Sequence, residues 1–256
     1  MKITTPLLFL DEERCVRNIQ KMADKAKRNN VVFRPHFKTH QSLEIGRWFK
    51  EVGVTKITVS SLEMATYFSS EWNDITVAFP VNILEIDTIN QLASKIQLNL
   101  LIESLDTLDF LKNHLIHPVQ FFIKVDIGYH RTGIAPENTD LIDNILTQAQ
   151  GTKLNFLGFL GHAGHSYGCK TEEQIMKIHT DSIEILKNLK SNYQENYPEL
   201  SKYLNEMPIT IPIDSRPEVN VQNLQKYYET LVGLLRNYVA EHQLNYINQR
   251  SGTGHL

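Results

Sequence analysis

Residues 31–40 read VVFRPHFKTH. A short apolar run, Val31 to Phe33, leads straight into one arginine, two histidines and one lysine. Alone, such a cluster fits a nucleic-acid patch, a metal site, a catalytic lysine or a solvated turn. The rest of the chain decides how far these narrow.

The chain has 256 residues, enough for one large domain or two small ones. Its formal net charge is −3, so it lacks the global basic field of a nucleic-acid binder. Cys15 and Cys169 have no CxxC spacing, which argues against a disulfide framework or a cysteine–zinc site and fits a reducing compartment. The apolar run Pro6 to Leu10 meets Asp11, Glu12 and Glu13 at once and is too short for a signal-peptide core. No later run approaches a membrane span. A cytoplasmic protein with neither nucleic acid nor membrane as partner is expected.

Residues 11–29 predict a helix, with Val16, Ile19, Met22, Ala23 and Ala26 at helical spacing and Asp11 as N-cap. Strand-like runs follow at 31–34, 56–60, 74–79, 96–102, 119–127 and 154–161, rich in Val, Ile, Leu and Phe. Segments of helical length separate them at 42–51, 61–70, 82–94, 104–115 and 138–150. This alternation predicts parallel β/α units. Polar residues gather just after the strands: Arg34 to His40, Ser60–Ser61, Asp126 to Arg131 and His162 to Tyr167. Chemistry spread over many strand ends favours a (β/α)8 TIM-type barrel over a doubly wound sheet, whose site lies at one switch point. No GxGxxG follows the first strand. A long helix is expected at 171–194, capped by Thr171 and Gln174, then a proline-rich loop with an edge strand ITIPI, a helix at 221–241 and a strand at 244–248.

Four constellations carry chemistry. Lys38 lies between His36 and His40 past a buried-looking strand; cationic neighbours and desolvation depress an amine's pKa, as a Schiff-base lysine requires. KVDIGYHRTG, residues 124–133, ends a strand in Asp126 and offers Arg131 to an oxyanion such as a phenolate or carboxylate. GFLGHAGHSYG, residues 158–168, provides glycines for close approach of a ligand, with His162 and His165 able to stack on a ring, relay protons or bind metal. No HxH, HExxH or HxxxD spacing accompanies them, so no metal ligand is assigned. SGTG, residues 251–254, offers N–H groups and hydroxyls to a phosphate.

In this order, the pieces resemble the fold-type III pyridoxal-phosphate (PLP) enzymes, the barrels of the alanine racemase type. Within them the chain is most similar to the D-threonine aldolase and D-serine dehydratase group. Arg34-Pro35-His36-Phe37-Lys38-Thr39-His40 matches that group's RPHxKTH, and Thr5, Pro6, Asp11, Asn18 and Ile19 match its opening. KVDIGYHRTGI, GHAGHSY and SGTG match its later motifs, so the similarity spans about residues 4–190 and 244–254. The resemblance implies one PLP-binding barrel domain over 1–256, divergent at 195–243 and incomplete at its C-terminal end, without the family's C-terminal β-domain. It implies that Lys38 carries the internal aldimine with PLP and acts as base, flanked by His36 and His40. Arg131 would face the phenolic oxygen or the substrate carboxylate. His162 would lie against the pyridine ring, Tyr167 would line the same face, and Ser251, Gly252, Thr253 and Gly254 would hold the phosphate. The implied activity is a PLP-dependent lyase on small D-amino acids, by retro-aldol cleavage or dehydration. Racemisation or PLP binding without catalysis are the alternatives, and a homodimer is implied. The group's divalent-metal ligands lie in the β-domain, and none is identified here.

Overall fold

The computed structural model describes residues 10–196. Among them run α1 (Glu12–Arg28), α2 (Leu43–Glu51), β1 (Ile57–Val59), α3 (Leu62–Phe68), β2 (Asp74–Pro80), α4 (Ile86–Ala93), β3 (Gln97–Ile102), α5 (Leu105–His114), β4 (Val119–Lys124), α6 (Thr139–Ala149), β5 (Leu154–Leu160) and α7 (Glu172–Asn196). Small polar residues start most of the helices. The side chains of Asp11, Ser42, Ser61, Ser104 and Asn138 each accept the N–H three residues on. That bond satisfies a donor the first helical turn leaves free.

All five strands are parallel, and they pair in the order β1-β2-β3-β4-β5. A doubly wound sheet reverses its order at a switch point; here every crossover moves the same way, which rolls the sheet toward a barrel. The (β/α) barrel expectation is borne out in kind. The edge strand, the 221–241 helix, the 244–248 strand and the SGTG loop lie outside the described residues.

The two faces of the sheet differ. Ile57, Val59, Ile75, Val77, Leu98, Leu100, Ile102, Val119, Phe121 and Ile123 join Phe68, Trp72, Ile89, Leu108, Leu111, Ile142 and Ile145 in one apolar core between strands and helices. The inner face holds a much smaller apolar group, Leu101, Phe122 and Leu160 with Ala78 and Leu157. Nearer the N-terminal strand ends, its register row is polar: Thr58, Thr76, Asn99, Gln120 and Asn155.

Three elements depart from the sequence expectation. VVFR forms no strand; the segment makes one isolated bridge, His36 with Thr58, through the Thr58 N–H to the Pro35 carbonyl at 2.9 Å. Pro35 has no N–H to extend a ladder. The strand expected to run to residue 127 stops at Lys124, because Asp126 Oδ1 accepts the N–H groups of Gly128, Tyr129 and His130 and folds the chain into a tight loop. The helix expected from residue 82 begins instead with a 3-10 turn, Ile83–Glu85, capped by Asn82.

Candidate active site

Lys38 sits in a 3-10 turn, Phe37–Thr39, whose geometry comes from two neighbours. His36 Nδ1 accepts the Lys38 N–H at 3.3 Å. Phe37 is 0% exposed and anchors the turn, its ring 5.1 to 5.2 Å from those of Phe49, Phe68 and Trp72. With Phe37 buried outward, Lys38 is left exposed at the C-terminal ends of the strands.

His36 and His162 share this mouth with Lys38. Burial, then the Lys38 charge, then His162 bring the His36 imidazole down to about 4. Burial, then Arg131, Lys124, Lys38 and His165 bring His162 down to about 4. Both rings are therefore neutral at pH 7 and add no positive charge to the cations around them. His40 is not brought to this group. Its ring lies 4.4 Å from Phe37 and stacks on Phe49 at 5.8 Å, and its Nδ1 accepts the Ser42 N–H. Burial lowers its pKa first of all, so it serves the aromatic layer as a neutral ring. Arg34 is not at the mouth either. It faces inward at the opposite end of the strands and pairs with Asp74 at 2.8 Å.

Arg131 follows the loop that Asp126 organises. Burial raises the Asp126 carboxyl, but N–H bonds from His130 and Gly128 and the His130 ring more than offset this and hold it below its ordinary value. The Arg131 guanidinium lies over the Tyr129 ring at 5.2 Å. Tyr129 stacks on His165 at 6.0 Å and meets His162 edge-on at 5.7 Å. Tyr167 is 64% exposed, 6.1 Å from His162. The close fit needs Gly164: a Cβ there would stand 2.6 Å from Tyr129 Cε1 and 2.7 Å from His162 Nε2.

The sequence reading gave no role to three residues that the fold adds. Lys124 ends β4 on the inner face and is 6% exposed. Burial above all brings its amine down to about 8, with Arg131 lowering it and Glu103 and Asp126 opposing. The register Ile102↔Ile123, carried one residue on, sets Glu103 beside Lys124, and Glu103 Oε2 is buried without a hydrogen-bond partner. Tyr129 is the third. Strand parity was the available signal: Lys124 lies two residues before Asp126 and two after the inward Phe122.

These shifts give the fold a signed pH dependence. Between about 6.5 and about 4 the unfolded chain protonates His36 and His162 while the folded chain does not. The unfolded state then binds more protons, so stability rises with pH across this window and is lost as pH falls. The melting temperature should drop from pH 7.5 to pH 5, and His36→Asn/His162→Asn should flatten that slope.

An exposed lysine, a buried lysine, an arginine and neutral imidazoles at the C-terminal ends of sequentially ordered parallel strands define a lysine-bearing (β/α)-barrel site that suits an anionic ligand. The chain belongs to the alanine racemase N-terminal domain family, whose model matches residues 10–201. This bears out the resemblance drawn from the motifs. D-serine dehydratase of Dictyostelium discoideum is 32% identical over 72% of this chain and 50% of that protein. D-threo-3-hydroxyaspartate dehydratase from Delftia sp. HT23 superposes with a TM-score of 0.71 at 24% identity, covering 76% of this chain and 52% of that one. D-threonine aldolase from Filomicrobium marinum does so with a TM-score of 0.68 at 18% identity, covering 75% and 53%. The two structures speak to the fold. The chain spans about half the length of these relatives. Among the described residues, no group of three or more His, Cys, Asp or Glu side chains could hold a metal ion, and no helix is long and apolar enough to cross a membrane.

Proposed function

We propose that this protein is a PLP-dependent lyase acting on small D-amino acids, with Lys38 as the cofactor lysine. One observation carries the reading: Lys38 faces both His36 and His162, Arg131 and Lys124 also face His162, and both imidazoles are kept neutral, in a family whose relatives include a D-serine dehydratase. The donor set suits PLP, since Arg131 and Lys124 would offer positive charge to its phenolate or to a substrate carboxylate, and a neutral His162 ring would suit a pyridine beside it. PLP supplies an electron sink for a carbanion at the substrate α-carbon.

This chain's residues do the rest. Lys38 Nζ would hold the cofactor and move the α-proton. Arg131, fixed by Tyr129, would orient a carboxylate or the phenolate. His36, accepting the Lys38 N–H, would keep the turn in place, and Tyr167 would border the ring. Ser251, Gly252, Thr253 and Gly254 would take the phosphate. A homodimer, a divalent metal acting at the substrate's β-hydroxyl and a cytoplasmic setting belong to the same proposal; the free Cys15 and Cys169 accord with the last.

The test is PLP incubation of the purified protein, followed by visible absorbance after dialysis and product analysis with D-serine, D-threonine and D-alanine. A retained band with 2-oxo acid and ammonia from D-serine marks a dehydratase; glycine and aldehyde from D-threonine mark an aldolase. Stereoinversion without cleavage would make it a racemase, and a band without turnover a PLP-binding relative. A colourless protein overturns the proposal.

Gly164→Ala probes the ring cluster. The added methyl must displace Tyr129 or His162. A misplacement near 1 Å should weaken PLP affinity and turnover by about 10²-fold, read by absorbance titration, at little cost to the melting temperature.

A further inference from the structure

The basic motif divides into two halves with different destinations. Lys38 reaches the mouth, whereas Arg34 enters the barrel from the other end, its side chain 1% exposed. Arg34 Nη1 donates to the Ile57 carbonyl at 3.2 Å and to Asp74 Oδ1 at 2.8 Å. Asp74, the first residue of β2, also receives Lys56 Nζ at 3.2 Å, Gln97 Nε2 at 3.0 Å and Asn99 Nδ2 at 2.8 Å. One carboxylate therefore laces the Lys38-bearing segment, the start of β1, β2 and β3 together.

That segment has little else to fix its height. Its only backbone bond to β1 among the described residues is the Thr58 N–H to the Pro35 carbonyl. Phe33 and Phe37 pack outward and decide which face looks inward. Apolar contact is non-directional and holds axial position less strictly. A two-residue slip would keep the same faces and move Lys38 by about 6.6 Å along the barrel. The arrangement is also a poor stabiliser, since Arg34 Nε is buried without a partner. A buried ion pair adds little net stability over an apolar pair, and its best-attested use is to specify register.

We propose that the Arg34–Asp74 pair sets the axial register of the Lys38-bearing segment against β1, which makes Arg34 a positioning residue for Lys38. The structural half of this inference stands alone; its catalytic consequence rests on the proposed PLP site.

The test uses the full chain with Arg34→Met and Arg34→Lys. Amide exchange at Thr58 reads the register directly. It should accelerate by about tenfold or more in Arg34→Met while Phe121 and Ile123 in β4 keep their protection, and Arg34→Lys should stay within about threefold of the parent. PLP incubation, borohydride reduction and peptide mapping read the consequence: labelling of Lys38 should fall by about tenfold in Arg34→Met. If the parent protein is not labelled at Lys38, the cofactor reading fails while Thr58 exchange still decides the register. Thr58 protection in Arg34→Met within about twofold of the parent overturns the inference. Should Arg34→Met not fold, Arg34→Met/Asp74→Asn, which buries no net charge at the pair, carries the same measurements and outcomes. If neither folds, the pair is a stability element and the inference is overturned.

Discussion

Lys38→Ala should yield a folded protein that shows no visible band after PLP incubation and turns over D-amino acids about 10³-fold more slowly or worse. The fold should barely notice. Lys38 is exposed, and the bond it makes to His36 uses its backbone N–H, which alanine keeps. A surface substitution of this kind changes stability by about 0.5 kcal/mol or less. The site loses the one amine that stands in the mouth beside both neutral imidazoles. Lys124 does not replace it, because that amine is buried at the end of β4 and donates to the Val125 carbonyl. Absorbance, a product assay and a thermal melt on the same sample check all three statements. A variant that keeps the band would move the cofactor lysine elsewhere.

Asp74→Ala should cost far more stability than any change at the mouth. Asp74 is the hub of a buried polar group, facing Arg34, Lys56, Gln97 and Asn99 across three strands. Removing its carboxylate leaves the Arg34 guanidinium buried beside Lys56 with no counter-charge. Breaking one side of a buried pair in this way costs about 3–5 kcal/mol. For a domain of this size the melting temperature should fall by roughly 10 °C, measured by calorimetry or circular dichroism. Arg34→Met should be much milder, since Asp74 keeps Lys56 and two amide donors. Equal losses in the two variants would show that the pair stabilises through Arg34 packing and not through charge balance.

Several parts of this molecule were legible from the chain. The five strands and the helices between them lie within a few residues of the periodic runs, because burial on one face imposes its spacing on the sequence itself. The barrel arrangement followed from where polar residues recur, and the sequential strand order agrees. Lys38, His36, Arg131, His162 and Tyr167 were named from motifs, and the fold brings their neighbourhoods together.

Other assignments failed for a definable reason. Within RPHFKTH, the Arg34 side chain reaches back to the N-terminal ends of the strands, where it meets Ile57 and Asp74, and the 3-10 turn at Phe37–Thr39 breaks the strand alternation and leaves the His40 ring against Phe37 and Phe49. Arg34 and His40 thus leave the cluster that their sequence proximity suggested. Lys124 and Glu103 were passed over because each reads as an ordinary charge at a strand end; they become neighbours only through the β3–β4 register.

The sequence by itself determined most of the strands and helices, VVFR excepted, that the strands are parallel, and which motif carries Lys38. These depend on local periodicity and on residue types within one turn or strand. Only the tertiary structure decided that Arg34 is matched by a carboxylate 40 residues away, that His40 belongs to an aromatic layer, and that Lys124, a buried amine, lies beside the exposed Lys38 at the site. The reason is physical: a charge's role is set by what lies within a few ångströms in the low-dielectric interior, and strand register, not chain distance, supplies those neighbours.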